Sequence, residues 1–158
     1  MQDSKLPKKL KSILAQDLDR AVKARRITEA IRDEGPYRWI GIYDVDIQRG
    51  LVSNIAWCGP SAPAYPTFPI TRGLTSRAIN DRKTVNVGDV TGDSSYLTAL
   101  DSTRAEIIVP VLDSTGDRVI GTIDVESEKL NAFDGAAQAL LEECADVLKD
   151  FWTSGKSC

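Results

Sequence analysis

The chain has 158 residues, 20 of them basic and 23 acidic, for a net charge of −3. That is the size of one domain able to bury a proper core, and the balance carries no global nucleic-acid signature. Histidine is absent, which removes Ser-His-Asp and Cys-His catalysis, histidine ligation of haem and the commonest metal ligand together.

The three cysteines, Cys58, Cys144 and Cys158, stand far apart without CxxC spacing. They predict reduced thiols in a cytoplasmic protein, with neither metal site nor cofactor. The N-terminal stretch MQDSKLPKKLKSILAQ has lysines but no apolar segment of the kind a secretory signal needs, and no run is long and apolar enough to span a bilayer.

In chain order, Leu6 to Glu34 is predicted to be one helix. Leu10, Ile13, Leu14, Leu18, Ala21, Val22, Ala24 and Ile31 recur at steps of three and four, and Gly35-Pro36 stops it. Its outer face is basic, which reads as a solvated surface. "RWIGIYDVD" and "GLVSNIAW" are predicted to form a hairpin across the turn at Gln48-Arg49-Gly50. The proline-rich "CGPSAPAYPTFP" reads as a loop. "GLTSRAINDRK" is helical in spacing, "TVNVGDV" a short strand, and "TGDSSYLTALDSTR" a polar loop. There Asp89, Asp93 and Asp101 serve as turn caps rather than a calcium loop. "AEIIVPVLD" and "RVIGTIDVES" pair across Ser114-Thr115-Gly116-Asp117. "NAFDGAAQALLEECADVLKDFW" is a helix capped by Asp134, with Phe133 placed as a hydrophobic staple. Residues 153–158 read as a flexible tail.

These elements predict an α/β (α+β) domain: a central antiparallel sheet of about six strands with helices on both faces. The domain proper runs over 35–152, and the helix over 1–34 packs on it or at a dimer interface. Gly41 and Gly121, inside strands, mark close backbone approach or a bulge.

The ordered set "RWIGIYDVD", "ITRGLTSRAIN", "TVNVGDV", "AEIIVPVLDSTGDRVIGTIDVES" and "AFDGAAQALLEECADVL" resembles a GAF domain. The resemblance implies a ligand pocket between one sheet face and the intervening loops, with the terminal helices packed on the other face and forming a homodimer contact. Within that superfamily the pattern is most similar to free methionine-(R)-sulfoxide reductases. "WIGIY" keeps Trp39 and Tyr43, "AEIIVP" keeps Glu106, and "IDVES" keeps Asp124 with Glu126 in place of Asp. The resemblance implies that the three acids hold an ammonium group, as buried cations require, while Trp39 and Tyr43 wall the ligand. Tyr65 and Tyr96 lie in the loops that the family uses as a lid, and the segment from Gly92 to Arg104 would close over the ligand.

The cysteine positions of the reductases fall on Tyr65, Thr75 and near Ala99, none of them cysteine. The expected function is therefore a stand-alone module that binds a small amino-acid-like or cationic ligand as a sensor, without chemistry. Two alternatives stand beside it: a reductase-like enzyme using Cys58, and an interaction module whose pocket is filled by Tyr65, Phe68 and Leu97. For the acids themselves, strand periodicity leaves open a solvated face, with Ile123 and Val125 turned inward.

Overall fold

The computed structural model describes residues 5–35, 37–93, 96 and 102–154. The chain runs through α1 (Leu6–Ala15), α2 (Arg20–Glu34), β1 (Trp39–Asp46), β2 (Leu51–Cys58), β3 (Thr67–Pro69), α3 (Gly73–Asp81), β4 (Val85–Val87), β5 (Ala105–Leu112), β6 (Val119–Ser127), α4 (Gly135–Val147) and α5 (Lys149–Ser154). One antiparallel sheet of six strands has the order β3-β2-β1-β6-β5-β4. The predicted fold class is the observed one.

Strand alternation divides the core in two. Ile40, Ile42, Ile107, Val109, Val111, Ile123 and Val125 point to the face covered by α1, α2, α4 and α5. Trp39, Tyr43 and Val45 point the other way into a second cluster, and Ile108 joins Leu74 and Ala78 of α3 in a third. Both faces of the central strands are thus buried. β6 accordingly reads as an unbroken buried run from Val119 to Ser127.

Three elements differ from expectation. The predicted helix over 6–34 is two helices, broken where Gln16 turns extended at ψ 146°. A single helix of that length would run roughly 43 Å, overshooting a strand of about 26 Å. The break folds α1 back so that Leu6, Leu10 and Ile13 share a core with Ala24, Ile27 and Ile31, and the Lys23 ammonium caps the Leu14 carbonyl at 3.0 Å.

The proline-rich stretch, expected to be loop throughout, ends in the edge strand β3, where Leu51 faces Pro69 and Val52 faces Phe68. An edge position tolerates the missing proline N–H.

The last helix turns at Leu148 and continues as α5 to Ser154, so Thr153 and Ser154 belong to it. The rest of the predicted tail lies outside the described residues. Asp134 caps α4 as expected, its carboxylate accepting from Ala137 N–H at 2.8 Å. Phe133 packs instead against Tyr37, the rings tilted at 41° with centroids 5.7 Å apart, and the fourth helical position is the polar Gln138.

Both strand glycines mark close approaches by indoles. A Cβ on Gly41 would lie 2.3 Å from the Trp39 ring, and one on Gly121 would lie 2.0 Å from Trp152 Nε1. Among the described residues no helix is long and apolar enough to cross a membrane.

Candidate ligand pocket

The pocket-side face of the sheet carries the acids. In the ladder Glu126 stands between Trp39 of β1 and Glu106 of β5, and Asp124 between Gly41 and Ile108. Alternation turns Glu106, Asp124 and Glu126 away from the helices. None meets solvent freely: their exposures are 1%, 8% and 0%. The solvated-face reading is therefore wrong, because α3, the proline-rich loop and the segment around Thr103 cover that side.

One oxygen of each acid lies within 4.8 Å of the others. Burial pushes the Glu106 carboxyl well above its ordinary range, and the charges of Asp124 and Glu126 push it further. Burial likewise raises Asp124, with the charge of Glu126 adding to it and a hydrogen bond from Glu106 partly opposing. For Glu106 itself, the hydrogen bonds with Asp124 and Glu126 act in the same upward direction as burial. The Thr103 hydroxyl donates to Glu126 Oε1, and the Tyr96 hydroxyl lies 3.4 Å from the same oxygen. Burial, with the charge of Asp124 next, keeps the Tyr43 phenol protonated. Asp124 Oδ1 has no hydrogen-bond partner among the described residues.

The cavity in front of these groups is lined by Tyr43, Pro63, Tyr65, Phe68, Gly73, Leu74, Thr75, Glu106, Ile108 and Asp124. Its free volume is about 20 Å³, room for about one water molecule. Four of the seven predicted site residues, Tyr43, Tyr65, Glu106 and Asp124, line it directly. Glu126 sits behind them as the third acid, with Tyr96 on its far side.

Trp39 is not among the lining residues, contrary to its expected role as a ligand wall. It is fully buried, lies along the sheet between Gly41 and Gly59, and donates its indole N–H to the Ser61 carbonyl at 3.0 Å. Its work is to hold the loop that carries Pro63 and Tyr65.

Sequence reasoning missed Pro63, Gly73, Leu74, Ile108 and Thr103. Thr75 entered it only as a position where a cysteine is missing. The one available signal was Gly73, whose φ of 73° makes the sharp entry to α3. Asp89 caps Thr91 and Asp93 pairs with Arg77 at 2.5 Å, both away from the cavity. Asp101, Leu97 and Ala99 lie outside the described residues, as does part of the expected closing segment.

The thiols are elsewhere. Cys58 is the ladder partner of Ile40 and packs with the helix-side core, its sulfur 3.9 Å from the Arg32 guanidinium. Cys144 is buried in that same core, where burial pushes its thiol up to about 12. Both face away from the acids. For a ligand, three converging carboxylate oxygens suit the three N–H donors of an ammonium group; a hard divalent cation is the other species such donors accept.

A six-stranded antiparallel sheet with helices behind it and an acid-floored cavity in front defines an α+β domain with a candidate ligand pocket. The GAF domain profile matches residues 19–149, and the chain belongs to the GAF domain family. GAF domain-containing protein A of Dictyostelium discoideum is 26% identical over 139 residues, 88% of this chain and 85% of that protein. The free methionine-R-sulfoxide reductase of Saccharomyces cerevisiae is 25% identical over 122 residues, 76% of this chain and 62% of that protein. Among solved structures, the Neisseria meningitidis free methionine-R-sulfoxide reductase in complex with its substrate superimposes with a TM-score of 0.83 at 27% identity, covering 98% of this chain and 94% of that one.

Proposed function

We propose that this chain is a ligand-sensing GAF domain. Its cavity holds a small polar ligand by a cationic end, and it performs no chemistry on it. The observation that carries the reading is the convergence of Glu106, Asp124 and Glu126, all buried, within 4.8 Å. Three acids taken from water without a counter-charge are costly, and a cation bonded to all of them offsets that cost. Similarity to reductases of free methionine-R-sulfoxide supports an amino-acid-like ligand.

The reductase reading has that same similarity in its favour. Against it stand Cys58 and Cys144, both on the helix side of the sheet, and the Tyr65 and Thr75 that line the cavity where the resemblance expects cysteines. The finer reading also takes the α1–α2 surface as a homodimer contact in a cytoplasmic protein. Its groove is lined by residues of both signs, Lys9 and Arg26 with Glu29 and Asp33, and a twofold interface brings one such patch onto its own copy.

The test is calorimetric titration with L-methionine sulfoxide, L-methionine and polyamines, repeated on Glu106→Gln, beside a sulfoxide turnover assay with a thiol reductant. Binding that Glu106→Gln abolishes, without turnover, is the expected result. Turnover lost in Cys58→Ser would replace this reading with the enzymatic one. Light scattering decides between monomer and dimer.

A further inference from the structure

Glu106 stands opposite Glu126 across the β5–β6 ladder, and Asp124 lies two residues back on the same face of β6. In front of them the free volume is about 20 Å³, which admits about one water-sized body. An ammonium nitrogen fits that space, but the carbon skeleton it carries does not, so an organic ligand needs the cavity to widen. A bare ion does not.

The oxygens are spaced for an ion. One from each acid lies within 4.8 Å of the other two, and two oxygens on one calcium-class ion, each bound at about 2.3–2.6 Å, can stand up to about 5 Å apart. The cavity lining includes no lysine or arginine among the described residues. Asp124 lines the cavity and is more than nine-tenths buried, and its Oδ1 has no hydrogen-bond partner among the described residues. A buried acceptor facing a space of this size is answered by a water or by an ion. Three carboxyl groups together favour the ion, because a water brings donors but no counter-charge.

The donors and the space also select the class of ion. Carboxylates are hard oxygen donors; the chain has no histidine, and Cys58 and Cys144 pack with the core on the other side of the sheet, so zinc and softer metals find no ligands of their own kind. Magnesium holds on to several of its waters and demands a near-ideal octahedron, which a space for about one water does not accommodate. Calcium accepts carboxylates through one oxygen or both, in flexible geometry.

We infer that, when no organic ligand is bound, Glu106, Asp124 and Glu126 hold a single hard divalent cation of the calcium class, and that the ammonium group of the ligand takes its place on binding. The location rests on the cation reading given above; the inorganic occupant and the exchange are new.

The experiment is calorimetric titration of the chelator-treated chain with calcium chloride and with magnesium chloride at constant ionic strength. It is repeated on Glu106→Gln, on Asp124→Asn and on Asp17→Asn, an exposed acid that serves as the control. The expected result is one calcium ion per chain, bound about 10-fold or more tighter than magnesium and weakened about 10-fold or more in the two pocket variants only. Where a pocket variant does not fold, competition on the parent chain carries the test: spermidine or L-methionine sulfoxide should weaken calcium binding in proportion to its concentration. Calcium binding that both pocket variants leave intact, or that neither organic ligand weakens although one binds, overturns the inference. Absence of calcium binding also overturns it; the ammonium reading then stands if spermidine or L-methionine sulfoxide binds in the same buffer, and both fall if neither does. Calcium binding lost in the pocket variants, with neither organic ligand bound, keeps the ion site and removes the ammonium reading together with the exchange.

Discussion

The Trp152 indole N–H donates to the Tyr43 carbonyl at 3.0 Å, through the back of the sheet and across 109 residues of sequence. Tyr43 lines the cavity on one face, and its peptide receives α5 on the other. The register between β1 and β2 shifts at Ile42/Tyr43. Next to it Arg20 of α2 bonds Asp44 at 3.2 Å and sits 4.8 Å over the Phe151 ring. The start of α2, the middle of β1 and the end of the chain's last helix are therefore fastened at one point behind the cavity.

Gly121→Ala should be among the most damaging single-atom additions in the domain. The new Cβ would stand 2.0 Å from Trp152 Nε1, so the indole must leave both its groove and its bond to Tyr43. Overpacking of this kind costs about 1–3 kcal/mol, and an unanswered buried carbonyl adds a similar amount. Trp152→Phe should show the second loss without the first. Urea unfolding of the two variants checks this; a Gly121→Ala protein as stable as the parent would mean that α5 is not docked there.

Glu106→Gln should change the pH profile of stability in a defined direction. The folded-state carboxyls of Glu106 and Asp124 are raised, so the native chain keeps protons that the unfolded chain has released. Below about pH 4 both states are protonated and these groups add no pH dependence. Above it, stability is lost progressively as pH rises through the folded-state values. The glutamine removes one ionisation and two repulsions, so its stability relative to the parent should rise from pH 5 to pH 8, by about 1.4 kcal/mol for each unit of displacement relieved. Parallel profiles for the two proteins would show that the acids are not coupled.

Native alkylation should separate the thiols. Cys144 is fully buried and its thiol is raised to about 12, so at pH 8 almost no thiolate is present and reagent cannot reach it. Cys58 is half-buried at the end of β2. Iodoacetamide followed by peptide mapping should find Cys58 modified and Cys144 intact until the chain is unfolded. Modification of Cys144 under native conditions would contradict the packing of α4 on the sheet.

Trp39→Phe should act on the loop rather than on the ligand. It deletes the bond to Ser61 and leaves space between Gly41 and Gly59. The expected cost is about 1–3 kcal/mol of stability, with faster hydrogen exchange over residues 59–66. A loop exchange rate equal to that of the parent would return Trp39 to the role of ligand wall.

Much of this was legible in the residues, and the failures share a cause. The strands other than β3 and the α4 cap follow from period and local chemistry, while the three acids stand out through the family resemblance. Which way Glu106, Asp124 and Glu126 face does not follow from period. Ile123 and Val125 alternate with acids that are equally buried, and a period of two cannot choose between two buried faces. Cys58 misled in the same way: it stands one residue from the loop that leads to the cavity, and on a strand one residue is the opposite side of the sheet. The break after Ala15 is hidden because the apolar stripe of α1 resumes in α2. Trp39 was placed on the correct face, but its lie along the strand depends on the approach of Gly59, which no local pattern encodes.

The strand order has a consequence for how the molecule comes to exist. β1 and β6 are central neighbours, yet one is the first strand made and the other the last. As the chain leaves the ribosome, β1 and β2 can pair early as a local hairpin. Their free edge stays open until Val119–Ser127 emerges. The carboxylate cluster then assembles in a single late event, when the last strand slots between β1 and β5 and the longest loop closures are completed. The acid-floored cavity thereby depends on β6 being in place, and a chain that stops before β6 exposes an unfilled sheet edge instead.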